Sequence, residues 1–147
     1  MKQHDYLSQQ FVIGGGTAGW LTALTLVKIP NHNSQVYLVE SKTIPTVGAG
    51  EGSTPQIVFL LEYLGIDLDE FYEKAWATKK YGVTFDNWLN DKKSFDHIFI
   101  NERNLDYAYH FDSEYIIQFL KKKALESGVI HIQDDYLYSY KNGVCIE

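Results

Sequence analysis

Gly14-Gly15-Gly16-Thr17-Ala18-Gly19 fits the pattern G-x-G-x-x-G, with Gly14, Gly16 and Gly19 at its key positions. The first glycine permits a tight turn, the second lets backbone approach a diphosphate, and the third lets a helix pack on its strand. A diphosphate fits the start of that helix, at Thr17 and Ala18, where free N–H groups and the helix dipole favour an anion. Glu40 closes the next apolar segment and Ser41 follows it. A carboxylate there would accept hydrogen bonds from ribose hydroxyls and repel a 2′-phosphate.

Two further segments could carry chemistry. In Val47-Gly48-Ala49-Gly50-Glu51-Gly52-Ser53-Thr54-Pro55, small residues surround one carboxylate. Ala49, Gly50, Glu51 and Gly52 would let backbone approach a flat ligand; the stretch reads equally as a flexible loop before a capped helix. In Lys79-Lys80-Tyr81-Gly82-Val83-Thr84-Phe85, strand alternation puts Lys80 on the face of Gly82 and Thr84, opposite Tyr81, Val83 and Phe85. Gly82 would leave space beside Lys80, making that lysine a candidate donor or nucleophile. A lysine pair at a strand start is ordinarily solvated, and the residue types alone favour that reading.

The elements that must position these residues follow from periodicity. Gln10 to Ile13 reads as a buried strand, Thr17 to Lys28 as a helix stopped by Pro30, and Gln35 to Glu40 as a second strand. This is a βαβ unit. Ser41 to Ser53 reads as a glycine-rich loop. Thr54 and Pro55 read as the cap and first residue of a helix ending at Gly65. Asp67 and Glu70 suggest a capping box opening a helix to about Ala77. Tyr81 to Phe85 alternates like a strand, and Leu89 to Asp106 reads as a surface excursion. Asp112 or Ser113 caps a helix to about Ser127, with Ile116, Ile117, Leu120 and Leu125 on its apolar side and Gly128 after it. Val129 to Ile132 is a third strand, and Lys141-Asn142-Gly143 is a hairpin turn. The expectation is one α/β, Rossmann-like dinucleotide-binding domain over residues 1–147, with a parallel sheet that is incomplete at its C-terminal end. Such a chain on its own is expected to be inactive and marginally stable, because an unfinished sheet edge invites aggregation.

Bulk properties narrow the classes. The 147 residues are 45% hydrophobic and 22% charged, an ordinary globular balance. A net charge of −6 argues against nucleic-acid or acidic-membrane surfaces. One cysteine, Cys145, allows no internal disulfide and suits a reducing cytoplasm. The start lacks the apolar region of a signal peptide, and no stretch is long enough to span a membrane. The histidines are scattered without metal-ligand spacing.

Taken together, the three motifs resemble the flavin-dependent halogenases, tryptophan halogenases in particular. Gly14 to Trp20 is similar to that family's form of the dinucleotide fingerprint, and Gly48 to Pro55 resembles its G-x-G-E segment closing on a proline. Lys80, Gly82, Phe85 and Trp88 match K-x-G-x-x-F-x-x-W, and Tyr109-His110-Phe111-Asp112 is similar to a later segment. The resemblance implies a glutathione-reductase-type FAD domain, and FAD reduced by a separate flavin reductase. Reduced flavin and O₂ would oxidise halide to hypohalous acid, which Lys80 would orient toward an aromatic, indole-like substrate. A homodimer is left open. Two departures stand against the pattern. No W-x-W-x-I-P motif occurs, nor the family's later glutamate. The segment between Trp88 and Tyr107 is also short where tryptophan halogenases carry an insert. A hydroxylating flavin monooxygenase and an inactive FAD-binding fragment are the rival readings.

Overall fold

Along the chain run β1 (Gln9–Ile13), α1 (Thr17–Lys28), β2 (Gln35–Glu40), β3 (Gly50–Gly52), α2 (Gln56–Tyr63), α3 (Leu68–Lys74) and β4 (Thr78–Lys80). Then come β5 (Gly82–Phe85), β6 (Phe95–Ile98), β7 (Ala108–Asp112), α4 (Ser113–Glu126), β8 (Ile130–Gln133), β9 (Ser139–Lys141) and β10 (Val144–Ile146). The computed structural model describes residues 9–31, 33–88, 93–100, 106–135, 139–141 and 144–146. The chain forms two compact units. The first is Met1–Val47 with Ile117–Glu147, and the second is Gly48–Ile116.

In the first unit β1 and β2 are parallel, from Gln9 opposite Gln35 to Ile13 opposite Val39. β8 joins β2 in parallel on its other edge, giving the order β1-β2-β8. Helix α1 buries Trp20, Ala23 and Leu24, the i, i+3, i+4 spacing of one face. Val36 and Leu38 of β2 are fully buried, while Tyr37 between them points to the other face and stacks on Phe11 at 4.8 Å. Along α4, Ile117, Leu120 and Ala124 are buried; Leu125, expected on the apolar side, is exposed. Ala124 takes the inward position because 117, 120 and 124 fall on one face and 125 turns away from it. Gly128 closes α4 at φ 97°, where other residues would be strained. β9 and β10 form the expected antiparallel hairpin, with Cys145 opposite Tyr140; Asn142, Gly143 and Tyr136 lie outside the described residues.

In the second unit the order β3-β7-β4 is antiparallel throughout, and β5 pairs with β6 in a separate hairpin. Three expectations change here. The glycine-rich loop contains a strand, β3. The excursion contains a strand, β6; residues 89–92 and 101–105 of it lie outside the described residues. The strand expected over Tyr81 to Phe85 is β5, and a separate strand, β4, precedes it, the two divided at Tyr81. Two boundaries move as well. Thr54 gives only its backbone carbonyl to Ile57 N, at 3.1 Å, and Pro55 holds the cap position without a side-chain bond. Asp67 caps α3 as expected, accepting from Glu70 N at 2.8 Å. That helix ends at Lys74 rather than near Ala77, and Trp76 just beyond has φ 49°, incompatible with a continuing helix. Phe71 is fully buried with the rings of Tyr109 and Phe111 edge-on to it at 5.1 and 6.3 Å.

Candidate functional site

Each unit carries part of the expected chemistry. In the first, Gly14 turns the chain at φ 112° and its N–H donates to Val39 O at 2.8 Å, tying the turn to the middle strand. A Cβ on Gly19 would lie 1.8 Å from Gly14 O, so the third glycine is demanded by the packing of α1 on the turn. Gly16 is the N-cap of α1, with φ −75° and ψ 179° and no side-chain cap; Thr17 and Ala18 open the helix, whose first turn has no acidic residue. A Cβ at Gly16 would meet nothing within 4 Å. Bare backbone, open space and a helix N-terminus make a cradle that fits the diphosphate of a dinucleotide such as FAD.

Glu40 sits beside this turn. Lys121 Nζ donates to its Oε1 at 2.8 Å. His131 Nε2 lies 2.7 Å from the same oxygen, near enough for an ion pair when protonated but off the line of a hydrogen bond. A Cβ on Gly15 would fall 1.7 Å from Oε2, so that second oxygen faces the glycine turn. Gly15, a variable position in the pattern, is therefore fixed as glycine by Glu40, which spacing alone did not reveal. Trp20 is fully buried between the same partners, 5.2 Å from the His131 ring and 5.3 Å from Lys121 Nζ. Among the described residues its indole N–H has no partner. Ser41 binds locally: its hydroxyl accepts from Thr43 N and Ile44 N at 3.0 and 3.1 Å and donates to Asp135.

Burial pushes the Glu40 carboxyl up, but the Lys121 hydrogen bond and charge, with His131 behind them, outweigh burial and hold it below its ordinary 4.5. A lowered carboxylate contributes stability that is present above 4.5 and lost as pH falls through the folded value. Replacing Lys121 by Met should lower stability at neutral pH by about 1–2 kcal/mol, since a charge-assisted hydrogen bond is lost. It should also shrink the acid-side loss below pH 4.5, because Lys121 does more than His131 to hold the Glu40 carboxyl down. Thermal midpoints of parent and variant from pH 3 to 7 check this; parallel acid limbs would show that Lys121 does not hold the carboxylate.

In the second unit, register puts Gly50, Gly52, Ala108, His110, Asp112, Thr78 and Lys80 on one face of the β3-β7-β4 sheet. Tyr109, Phe111 and Lys79 are on the other. Lys80 crosses β7 at Ala108, whose methyl leaves room, and Nζ donates to Ser53 O at 3.2 Å. Nζ also stands 5.6 Å from the Phe99 ring. Lys79 instead lies 4.4 Å over the Tyr107 ring. The two lysines thus separate onto opposite faces as expected, but the glycine beside Lys80 does not fit the expectation. Gly82 is in another hairpin, and a Cβ there would be 2.6 Å from His97 O, so backbone packing explains it. The glycine that leaves space beside Lys80 is Gly52, whose built Cβ would be 3.5 Å from Nζ.

Ala49 and Ser113 are locked together, Ala49 N donating to Ser113 Oγ at 2.9 Å and Ser113 N to Ala49 O at 3.2 Å. Gly50 pairs with Asp112 and Glu51 with Phe111. Ser53 follows, its N–H donating to Tyr109 O at 2.9 Å and its hydroxyl accepting from Tyr109 N at 2.9 Å. Burial, with Tyr107 adding to it, pushes the Tyr109 phenol up, so it stays neutral beneath the sheet. An open hollow of about 350 Å³ adjoins His110, bounded by Trp76, Thr78 and Asp112. Among the described residues no cluster of three or more metal-ligating side chains occurs.

Comparison with known proteins bears on both units. The family model for tryptophan halogenase matches residues 10–104. A tryptophan 6-halogenase of Streptomyces toxytricini is 40% identical over 95 residues, 65% of this chain and 18% of the relative. A tryptophan 7-halogenase of Lentzea aerocolonigenes is 36% identical over 78 residues, 52% of this chain and 15% of the relative. The crystal structure of the Streptomyces toxytricini enzyme superposes with a TM-score of 0.80 at 24% identity, covering 92% of this chain and 39% of that one. The chain therefore spans less than half the length of the relatives it matches. A match to a tryptophan 7-halogenase of Kutzneria extends over 193 aligned positions against 87% of this chain, so that relative carries residues here that this chain lacks. The parallel βαβ unit with its glycine turn is the Rossmann-like fold of these flavin-dependent halogenases, and from Gln10 into the second unit the chain belongs to the tryptophan halogenase family.

Proposed function

We propose that this chain is the FAD-binding, lysine-bearing part of a flavin-dependent halogenase acting on an aromatic, indole-like substrate. The observation that carries the reading is the placement of Lys80. The lysine that matches the family pattern lies on an open sheet face with its ammonium held by Ser53 O beside a glycine gap. The solvated-lysine alternative describes Lys79 better, since Lys79 is itself exposed, its ammonium lying over the half-buried Tyr107 ring.

The glycine turn holds the diphosphate of FAD, through Gly16 and the first amides of α1. Glu40 accepts from the adenosine ribose through Oε2, while Lys121 and His131 fix its other oxygen. Ser41, Ala49, Gly50, Glu51 and Gly52 complete the cofactor contacts carried over by resemblance. Bound and reduced, FAD supplies with O₂ the oxidising power that turns halide into hypohalous acid. Lys80 donates to the oxygen of that acid and makes its halogen more electrophilic toward the ring. The reduced flavin comes from a separate reductase acting transiently, in the cytoplasm.

The test supplies the intact protein, at the full length its gene specifies, with reduced FAD, O₂, halide and indole or tryptophan. The reduced FAD comes either from a reductase or from a chemical reductant. Halogenated product in both cases is expected. Product only with the reductase present would show that the two proteins must act as a complex.

A further inference from the structure

We propose that His110 is the second wall of the seat in which Lys80 holds hypohalous acid, and that Gly52 is glycine to keep that seat open. The inference rests on the halogenase reading above and assigns a residue that reading leaves unused.

The argument begins at Gly52. Glycine inside a strand weakens it and marks either strained backbone or close approach by another group. Gly52 is not among the glycines with positive φ, which are Gly14, Gly65 and Gly128. Its backbone therefore tolerates a side chain. Nor does packed backbone crowd it, as happens at Gly19 and Gly82, where a Cβ would strike a carbonyl oxygen at 1.8 and 2.6 Å. The neighbours of a Cβ at Gly52 are the ends of two side chains, His110 Nδ1 at 3.2 Å and Lys80 Nζ at 3.5 Å. Folding does not demand glycine there, whereas an open space shared by an imidazole and an ammonium does.

The register explains why these groups meet. His110 is directly opposite Gly52 on one side and Thr78 on the other, so its ring rises from the central strand on the face that Lys80 crosses. The pair offers complementary chemistry to a molecule with one hydroxyl. The oxygen of hypohalous acid accepts from the Lys80 ammonium while its O–H donates to His110 Nδ1. Two of the directions around oxygen are then fixed, and the third, which carries the halogen, points away from the strand. A single donor would leave the acid free to swivel about one bond.

In the transfer, the oxygen–halogen bond breaks and its electron pair stays on oxygen. A ring carbon forms the new carbon–halogen bond with a ring electron pair. The oxygen takes a proton from the Lys80 ammonium and leaves as water. The proton lost from the ring carbon passes to solvent, from which Lys80 is reprotonated. His110 directs this step through the orientation of the acid and is a positioning residue.

The experiment compares Gly52→Ala, His110→Ala, His110→Gln and Lys80→Ala in the intact protein with reduced FAD, O₂, bromide and indole. Four readings are taken: brominated indole, oxidant captured by a small thioether in solution, oxidation of the flavin, and thermal midpoint. Gly52→Ala and His110→Ala should each lower product tenfold or more and raise captured oxidant in proportion, with midpoints as in the parent and, in His110→Ala, flavin oxidation as in the parent too. His110→Gln, which keeps a polar acceptor, should recover part of the loss. Product and capture at parent levels in Gly52→Ala and His110→Ala, while Lys80→Ala abolishes product, would overturn this inference and leave the halogenase reading standing. Product loss without a rise in capture, or in step with lowered midpoints in both variants, would overturn it too. Parent-level product in Lys80→Ala would overturn the halogenase reading itself.

Discussion

Lys80→Ala in the intact protein should abolish halogenation, lowering the chemical step on the order of 10²-fold or more, while Lys79→Ala stays near the parent rate. The size follows from removing a preorganised donor aimed at the reacting atom. The asymmetry follows from the sheet. Lys80 is on the face of Gly52 and His110 with its ammonium bound to Ser53 O, and Lys79 is on the opposite face over Tyr107. Oxidation of reduced flavin by O₂ should continue in both variants, because it needs neither lysine. Product formation and flavin consumption measured together separate the two steps. Near-parent product from Lys80→Ala, or loss confined to Lys79→Ala, would mean that the motif match does not carry the role.

The second large effect is at the glycine turn, where two glycines should fail in different ways. At Gly16 the backbone is extended and a Cβ meets nothing, so Gly16→Val should fold with the parent's midpoint. Its side chain would occupy the space over the start of α1, and FAD affinity should fall on the order of 10²-fold as contacts between amides and diphosphate are displaced. At Gly19 the obstacle is backbone, Gly14 O at 1.8 Å, which cannot rotate aside. Gly19→Ala should force the helix off its strand and cost about 3 kcal/mol of stability, with FAD binding lost as a consequence. Flavin titration and urea unfolding on the same three proteins distinguish a binding defect from a folding one. Unchanged FAD affinity in Gly16→Val would contradict the placement of the diphosphate.

The first unit was legible because its signals are local. The glycine turn, the helical stripe up to Lys28, Pro30 and the alternating Gln35 to Glu40 segment each bound an element within a few residues, and α1 and β2 have the expected ends. The second unit was less legible because distant pairings hold it together. β3 contains two glycines and has no strand propensity of its own; it exists through its pairing with β7, from Gly50 opposite Asp112 to Gly52 opposite His110. β6 likewise exists as the partner of β5. The break at Tyr81 had the same consequence for the site. Periodicity along one strand correctly put Lys79 and Lys80 on opposite faces, but it assigned the neighbouring space to Gly82. That space belongs to Gly52, which lies next to Lys80 across the sheet and far from it in sequence. The partners of Glu40 were hidden for the same reason: nothing near Glu40 in the sequence points to Lys121 or His131.

The most direct test of the halogenase reading is the mass of what the intact protein makes. With reduced FAD, ¹⁸O₂, indole and either chloride or bromide, the reading predicts a product in which one hydrogen is replaced by the halogen supplied. Its isotope pattern should change when the halide is changed, and it should carry no label from O₂. A product carrying one labelled oxygen and no halogen, unaffected by the choice or omission of halide, would contradict the reading and identify a hydroxylase.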